Sequence, residues 1–244
     1  MKQALVVGGA NGIGLSIATI LAERNDIVKV YIVDKAEIAE IYRHPKFIYY
    51  TFDLIAPDYS FFDRFKDINI LMITAGFGKL ALFENIPDSM IVSSFGVNAI
   101  APIRIIKHFY HRLQSDVAFY CGVMVSIAGF MSSPFFSVYA ATKAALKIFI
   151  ESVNVELEKH GTPNRILNVS PGSIKGTSFN HGKTDLKQTE SLASEIIDKL
   201  FKQEDLFIPQ YDETFNAVLE RYHADFREEG RHSYEYKIKS GRLN

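Results

Sequence analysis

Six short apolar runs, separated by helical patterns and turns, constrain the fold of this chain more than any other feature. Residues 5–7, 29–33, 47–51, 70–74, 117–125 and 166–169 are rich in Val, Ile, Leu and aromatic residues. Most are apolar almost throughout and do not alternate with polar residues. A strand apolar on both sides must be covered on both faces, as parallel strands are inside an α/β sheet. Helical patterns fall between the runs, over 14–24, 59–65, 87–114 and 138–159. This alternation predicts an α/β fold with a doubly wound parallel sheet in three α/β/α layers. Residues 206–209 read as one more short strand and 213–227 as a final helix.

The chain has 244 residues, 48% of them hydrophobic. That length suits one large domain better than two small ones. No repeat, low-complexity tract or Pro/Gly/Ser linker divides it, so residues 1–227 read as a single domain. Residues 228–244 are polar and read as a tail, loose or packed on a partner subunit. Lys and Arg total 27 against 28 Asp and Glu, a net charge of −1. Neither a basic stripe for nucleic acid nor an acidic tail is present. The single cysteine, Cys121, excludes an internal disulfide and a multi-cysteine metal site, and in its apolar run it reads as a buried, inert thiol. No His, Cys or carboxylate cluster accompanies His181 at ligand spacing, so no metal is expected. No apolar run reads as long enough to span a bilayer. The chain enters its first strand without a leader pattern, which reads as cytoplasmic.

The first run leads into Gly8-Gly9-Ala10-Asn11-Gly12-Ile13-Gly14 and then a helix. Glycines there permit a tight turn and close approach of the backbone to a pyrophosphate, and the helix N-terminus offers unpaired N–H groups to that anion. The second run ends at Asp34, where a carboxylate can accept hydrogen bonds from both adenosine ribose hydroxyls and repel a 2′-phosphate. Asp34 therefore favours NAD over NADP. Lys35 is the counter-argument, and a solvated turn residue is the bland reading of Asp34. Farther on, Tyr139 and Lys143 lie at i, i+4 on one helix face. An ammonium close to a phenol favours the phenolate, so the spacing predicts a Tyr of lowered pKa able to exchange a proton with an alcohol or carbonyl.

Together the glycine spacing, Ser126, Tyr139 and Lys143 resemble the short-chain dehydrogenase/reductase family in its compact form, with a Rossmann fold, across residues 4–177. Further matches follow in order. Asp53-Leu54 resembles the pair that holds the adenine ring. Thr74-Ala75-Gly76 resembles the end of the segment after the fourth strand, and Asn98 the helix Asn of the catalytic tetrad. Pro171-Gly172 resembles the pair bordering the nicotinamide, with Ile174 and Thr177 just beyond. The resemblance implies that Tyr139 is the general acid/base. Lys143 would lower its pKa and bond the nicotinamide ribose, Ser126 would polarise the substrate oxygen, and Asn98 would hold a water on a proton path. The implied activity is NAD(P)-dependent hydride transfer between a nicotinamide cofactor and an alcohol or carbonyl. The implied assembly is a homodimer or homotetramer.

Several positions depart from the family pattern. Val7 stands where a Thr braces the glycine turn, and Ile73 and Thr74 stand where two Asn are common, so a weaker brace is expected. Thr177 lies one residue late. The last strand and its usual ending are replaced by residues 206–209 and a charged helix. Residues 173–192 read as a mobile polar lid, with Lys175, His181 and Lys183 able to meet an anion. Phe77, Phe130, Met131, Phe135, Phe136 and Phe179 suit an apolar or ring-bearing substrate, or else form core and subunit contacts. Two other readings compete: a redox-inactive dinucleotide-binding sensor, and an epimerase or dehydratase acting on nucleotide sugars.

Overall fold

Alternate residues of the central strands pack on opposite faces of one sheet, and both faces are buried. In the computed structural model, which describes residues 1–177, 179 and 182–240, the strands are β1 (Lys2–Val7), β2 (Ile27–Asp34), β3 (Phe47–Thr51), β4 (Ile70–Ile73), β5 (Tyr120–Met124), β6 (Ile166–Val169) and β7 (Leu206–Phe207). They form one seven-stranded sheet in the order β3-β2-β1-β4-β5-β6-β7. Every neighbouring pair is parallel. The helices are α1 (Gly12–Glu23), α2 (Asp88–Phe95), α3 (Ala101–His108), α4 (Tyr110–Leu113), α5 (Ser137–His160), α6 (Leu186–Phe201), α7 (Asn216–Ala224) and α8 (Phe226–Lys239). Leu5, Val7, Leu71, Ile73, Cys121 and Val123 point to one face, beneath Ile105, Leu146 and Ile150 of α3 and α5. Ala4, Val6, Ile70 and Met72 point to the other, beneath Ile17, Leu21, Ile196 and Leu200 of α1 and α6. This is the doubly wound, three-layer arrangement of a Rossmann fold. The order reverses between β1 and β4, and a crevice opens beyond their carboxyl ends, where such sheets bind ligands. Burial pushes the Cys121 thiol up to about 12.

Four segments differ from the sequence reading. The last part of the expected lid, residues 186–192, belongs to α6, which runs on to Phe201. Thr189, Leu192, Ala193, Ile196, Ile197 and Leu200 are buried at helical spacing along it. The expected lid therefore shrinks to the segment before Leu186. Residues 59–65 form a 3-10 turn, Ser60–Phe65. Residues 87–114 do not make one regular helix. A wide turn over Gly96–Ile100 separates α2 from α3. Pro102 has no N–H to give the Asn98 carbonyl, and the Asn98 side chain is drawn out to Phe77, both of which loosen the ladder there. The stretch Asp88–His108 is, by length and composition, apolar enough to cross a membrane, contrary to the sequence reading. In this fold its Ala101, Ile105 and Ile106 are core residues, and Arg104 bonds the carbonyls of Ala56 and Pro57. Finally, residues 228–239 are no loose tail. They belong to α8, which Asp225 caps through the N–H groups of Arg227 and Glu228.

Candidate active site

One cleft of about 1430 Å³ runs across the carboxyl ends of the strands. It exceeds the roughly 300–1,000 Å³ of an ordinary small-ligand pocket. Gly8, Asn11, Gly12, Ile13 and Gly14 line one end, with Asp34, Asp53 and Leu54 beyond them. Ala75, Gly76, Pro171, Gly172, Ile174 and Thr177 line the middle, and Ser126 and Tyr139 the far end. Asn98 and Lys143 lie behind its wall.

The glycine end is shaped by close backbone packing. Gly8 has φ of 89°, and a Cβ there would collide with Ala75. A Cβ at Gly14 would collide with the Gly8 carbonyl. The brace expected to be weak is supplied from β4. The Thr74 hydroxyl lies 3.1 Å from the Val7 carbonyl oxygen and 3.0 Å from that of Gly8, one proton shared between two acceptors. Thr74 does the work that a hydroxyl at position 7 would do. Asn11 makes no side-chain cap on α1. The Gly12 N–H bonds Thr184 Oγ1 at 3.2 Å, leaving the remaining first-turn N–H groups directed at the cleft. A dinucleotide fits these residues: a small-residue cradle, the N-terminus of α1, and an acid at the end of β2. One Asp34 oxygen accepts the Ala10 N–H and the other the Ala36 N–H, both at 3.0 Å. Lys35 lies 3.6 Å from Asp53 instead of reaching into the ribose site alone. Thr177 turns its hydroxyl to the Ile174 carbonyl at 3.2 Å.

At the far end, Ser126 follows β5 and Tyr139 opens α5. The Ser126 hydroxyl accepts the Ala128 N–H at 3.2 Å and reaches the Pro171 carbonyl at 3.4 Å. Lys143 Nζ donates to the Met124 carbonyl at 2.9 Å and lies 5.6 Å from the centre of the Tyr139 ring. The Asn98 side chain accepts the Phe77 N–H at 3.0 Å, donates to the Phe77 carbonyl at 2.8 Å and to Thr142 at 3.3 Å. It clamps the chain after β4. Gly76 separates the cleft from this layer: a Cβ there would sit 3.2 Å from Asn98 Oδ1 and 3.3 Å from Lys143 Nζ.

The spacing of Tyr139 and Lys143 predicts an acidified phenol, and the electrostatics run the other way. Burial pushes Tyr139 up to about 12, against a smaller downward pull from its hydrogen bond with Ser126. Burial brings Lys143 down to about 7. Desolvation penalises both charged forms. The protein alone thus holds a phenol, with an amine poised to lose its proton near neutrality. Sequence reasoning read Thr74 as part of a weakened brace, where its hydroxyl instead supplies one, and it missed Thr142, which bonds Asn98. No group of three or more metal-ligating side chains occurs among the described residues. His181 lies outside them.

The model of the family described as short chain dehydrogenase matches residues 2–188, most of the chain. The chain belongs to the short-chain dehydrogenase family. It is 28% identical to the uncharacterized oxidoreductase YvaG of Bacillus subtilis over 185 residues, covering 70% of this chain and 68% of that one. Over 194 residues it is 25% identical to the uncharacterized oxidoreductase TDA5 of Saccharomyces cerevisiae, covering 72% of this chain but 56% of that protein's length. A Burkholderia phymatum short-chain dehydrogenase/reductase crystallised with NAD superposes with a TM-score of 0.78 at 16% identity, over 93% of this chain and 94% of the other. At that identity the likeness is one of fold. Helices α7 and α8 of this short-chain dehydrogenase lie beyond the matched residues.

Proposed function

We propose that this short-chain dehydrogenase is an NAD-dependent oxidoreductase that interconverts a carbonyl and an alcohol, with Tyr139 as the acid/base. The observation that carries this reading is the convergence, in one cleft, of a glycine cradle at one end with Ser126 and Tyr139 at the other. A nicotinamide dinucleotide, when bound, supplies or accepts the hydride. The rest falls to the chain's own residues. Gly8 to Gly14 hold the pyrophosphate, Asp34 the adenosine ribose, Asp53 and Leu54 the adenine, and Pro171 to Thr177 the nicotinamide side. Ser126 donates a hydrogen bond to the substrate oxygen. Tyr139, kept protonated by burial, gives that oxygen its proton during reduction. Lys143 then returns a proton to the Tyr139 oxygen, a step suited to an amine with a pKa of about 7. Asn98 is a positioning residue that holds the Phe77 backbone against this layer.

Asp34 supports NAD over NADP: its carboxylate faces the place a 2′-phosphate would take, and the nearby Lys35 is engaged by Asp53. We also propose a homodimer or homotetramer, a small-molecule substrate and a cytoplasmic setting. The test is Tyr139→Phe. NADH binding should persist while NADH-dependent carbonyl reduction falls at least a thousandfold. Retained turnover in that variant would refute the role of Tyr139.

A further inference from the structure

The reacting end of the cleft is roofed by α7 and α8, which lie beyond the residues matched by the family. Val218 and Arg221 of α7 line it, as do Glu229 and His232 of α8. The roof is locked in place. Lys237, buried, donates to Ser133 Oγ and the Pro134 carbonyl, both at 2.8 Å. Tyr234 packs on Phe135 with ring centres 4.6 Å apart. Both anchors hold the loop that runs into Tyr139. Beneath the roof the walls are apolar. Phe136 and Phe179 each lie with ring centres 5.2 Å from that of Tyr139, and Met131 and Phe215 complete the lining.

Arg221 stands at the polar end of this apolar slot. Its Nε donates to the buried Glu229 carboxylate at 2.8 Å. Its two Nη groups have no partner among the described residues, and Arg221 lines the cleft; the end of a guanidinium left free in this way is a planar fork. Such a fork matches a carboxylate with two parallel hydrogen bonds. The Glu229 charge is offset by Arg221 itself, and Lys237 adds a second cation to the same wall, with His232 beside it. Arg221 is the roof cation whose hydrogen-bonding groups are left over for whatever occupies the slot.

We propose that the α7–α8 hairpin is the substrate-recognition element, and that Arg221 binds a carboxylate on a ring-bearing ketone whose carbonyl lies at Ser126 and Tyr139. The idea rests on the oxidoreductase reading: the ketone gains a hydride from NADH and a proton from Tyr139, leaving a secondary alcohol and NAD+. Phe136 and Phe179 flank the ring, and Glu229 fixes the guanidinium.

The probes are 4-acetylbenzoate and the longer 4-acetylphenylacetate, each compared with its methyl ester by calorimetric titration into the NADH-loaded protein. At least one acid should bind about tenfold more tightly than its ester. Arg221→Met should bring that ratio to about one, and Arg221→Lys should keep part of it. Glu229→Gln, which removes the competing charge, should raise the ratio severalfold, whereas a purely structural role would weaken acid and ester alike. Equal binding of acids and esters, no binding of either, or an unchanged ratio in Arg221→Met would overturn the proposal. NADH oxidation followed in the same samples separates this failure from the other: reduction of an ester without preference for the acid sinks the anion site and leaves the oxidoreductase reading standing.

Discussion

Replacing Lys143 with Met should make the protein's stability less dependent on pH. Burial brings the ammonium from 10.5 to about 7, a depression of about 3.5 units, and each unit is worth roughly 1.4 kcal/mol. Between those two values the unfolded chain binds a proton that the folded chain does not, so stability rises with pH through that window. The penalty is fully present below pH 7 and fades toward 10.5. Working the linkage between pH 7 and 8.5 gives a gain of about 1.5 kcal/mol for the wild type from this group. Cys121 opposes the trend as its unfolded thiol ionises, but it is common to both proteins and cancels in their difference. Urea unfolding at the two pH values measures the effect. The wild type should gain about 1.5 kcal/mol more than Lys143→Met on going to pH 8.5. Met leaves the Met124 carbonyl without its Lys143 partner, a loss of about 1 kcal/mol that does not depend on pH. Equal slopes in the two proteins would show that Lys143 is not a depressed, desolvated amine, and the proton-return step would lose its support.

Thr74→Val removes the hydroxyl shared by the Val7 and Gly8 carbonyls, and should cost about 1–2 kcal/mol in urea unfolding and weaken NADH binding severalfold. Asp34→Ala should weaken NADH binding more than NADPH binding, read from the two dissociation constants by fluorescence titration; an unchanged ratio would remove Asp34 from coenzyme selection. Sedimentation velocity should show a dimer or tetramer at micromolar concentration, and a monomer would refute the assembly.

Much of this molecule is legible in its residues, and the exceptions have physical causes. The buried strands announce themselves because a continuous apolar run has nowhere to go but a covered sheet. Tyr139, Ser126 and the glycine turn share the cleft because their spacing is local to strand ends and one helix face. Helix α6 also carries its signal, a buried stripe from Thr189 to Leu200, but it sits behind a polar stretch that reads as loop. The break at Gly96–Ile100 depends on a long-range contact, Asn98 to Phe77, that no local pattern reveals. The electrostatics of the Tyr139–Lys143 pair fail for a related reason. Sequence spacing sets how near two groups lie, whereas desolvation depends on the whole fold closing around them. The C-terminal helix α8 is mostly polar, and long-range anchors such as those at Ser133, Pro134 and Phe135 make it part of the cleft.

Deuterium transfer tests the central claim most directly. Wild-type protein is incubated with NADH carrying deuterium at both nicotinamide C4 positions and a panel of ketones, in parallel with Tyr139→Phe, and the alcohol is weighed by mass spectrometry. The account predicts one deuterium at the carbinol carbon with the wild type and almost no alcohol with the variant. Alcohol lacking deuterium, or equal yields from the two proteins, would contradict it.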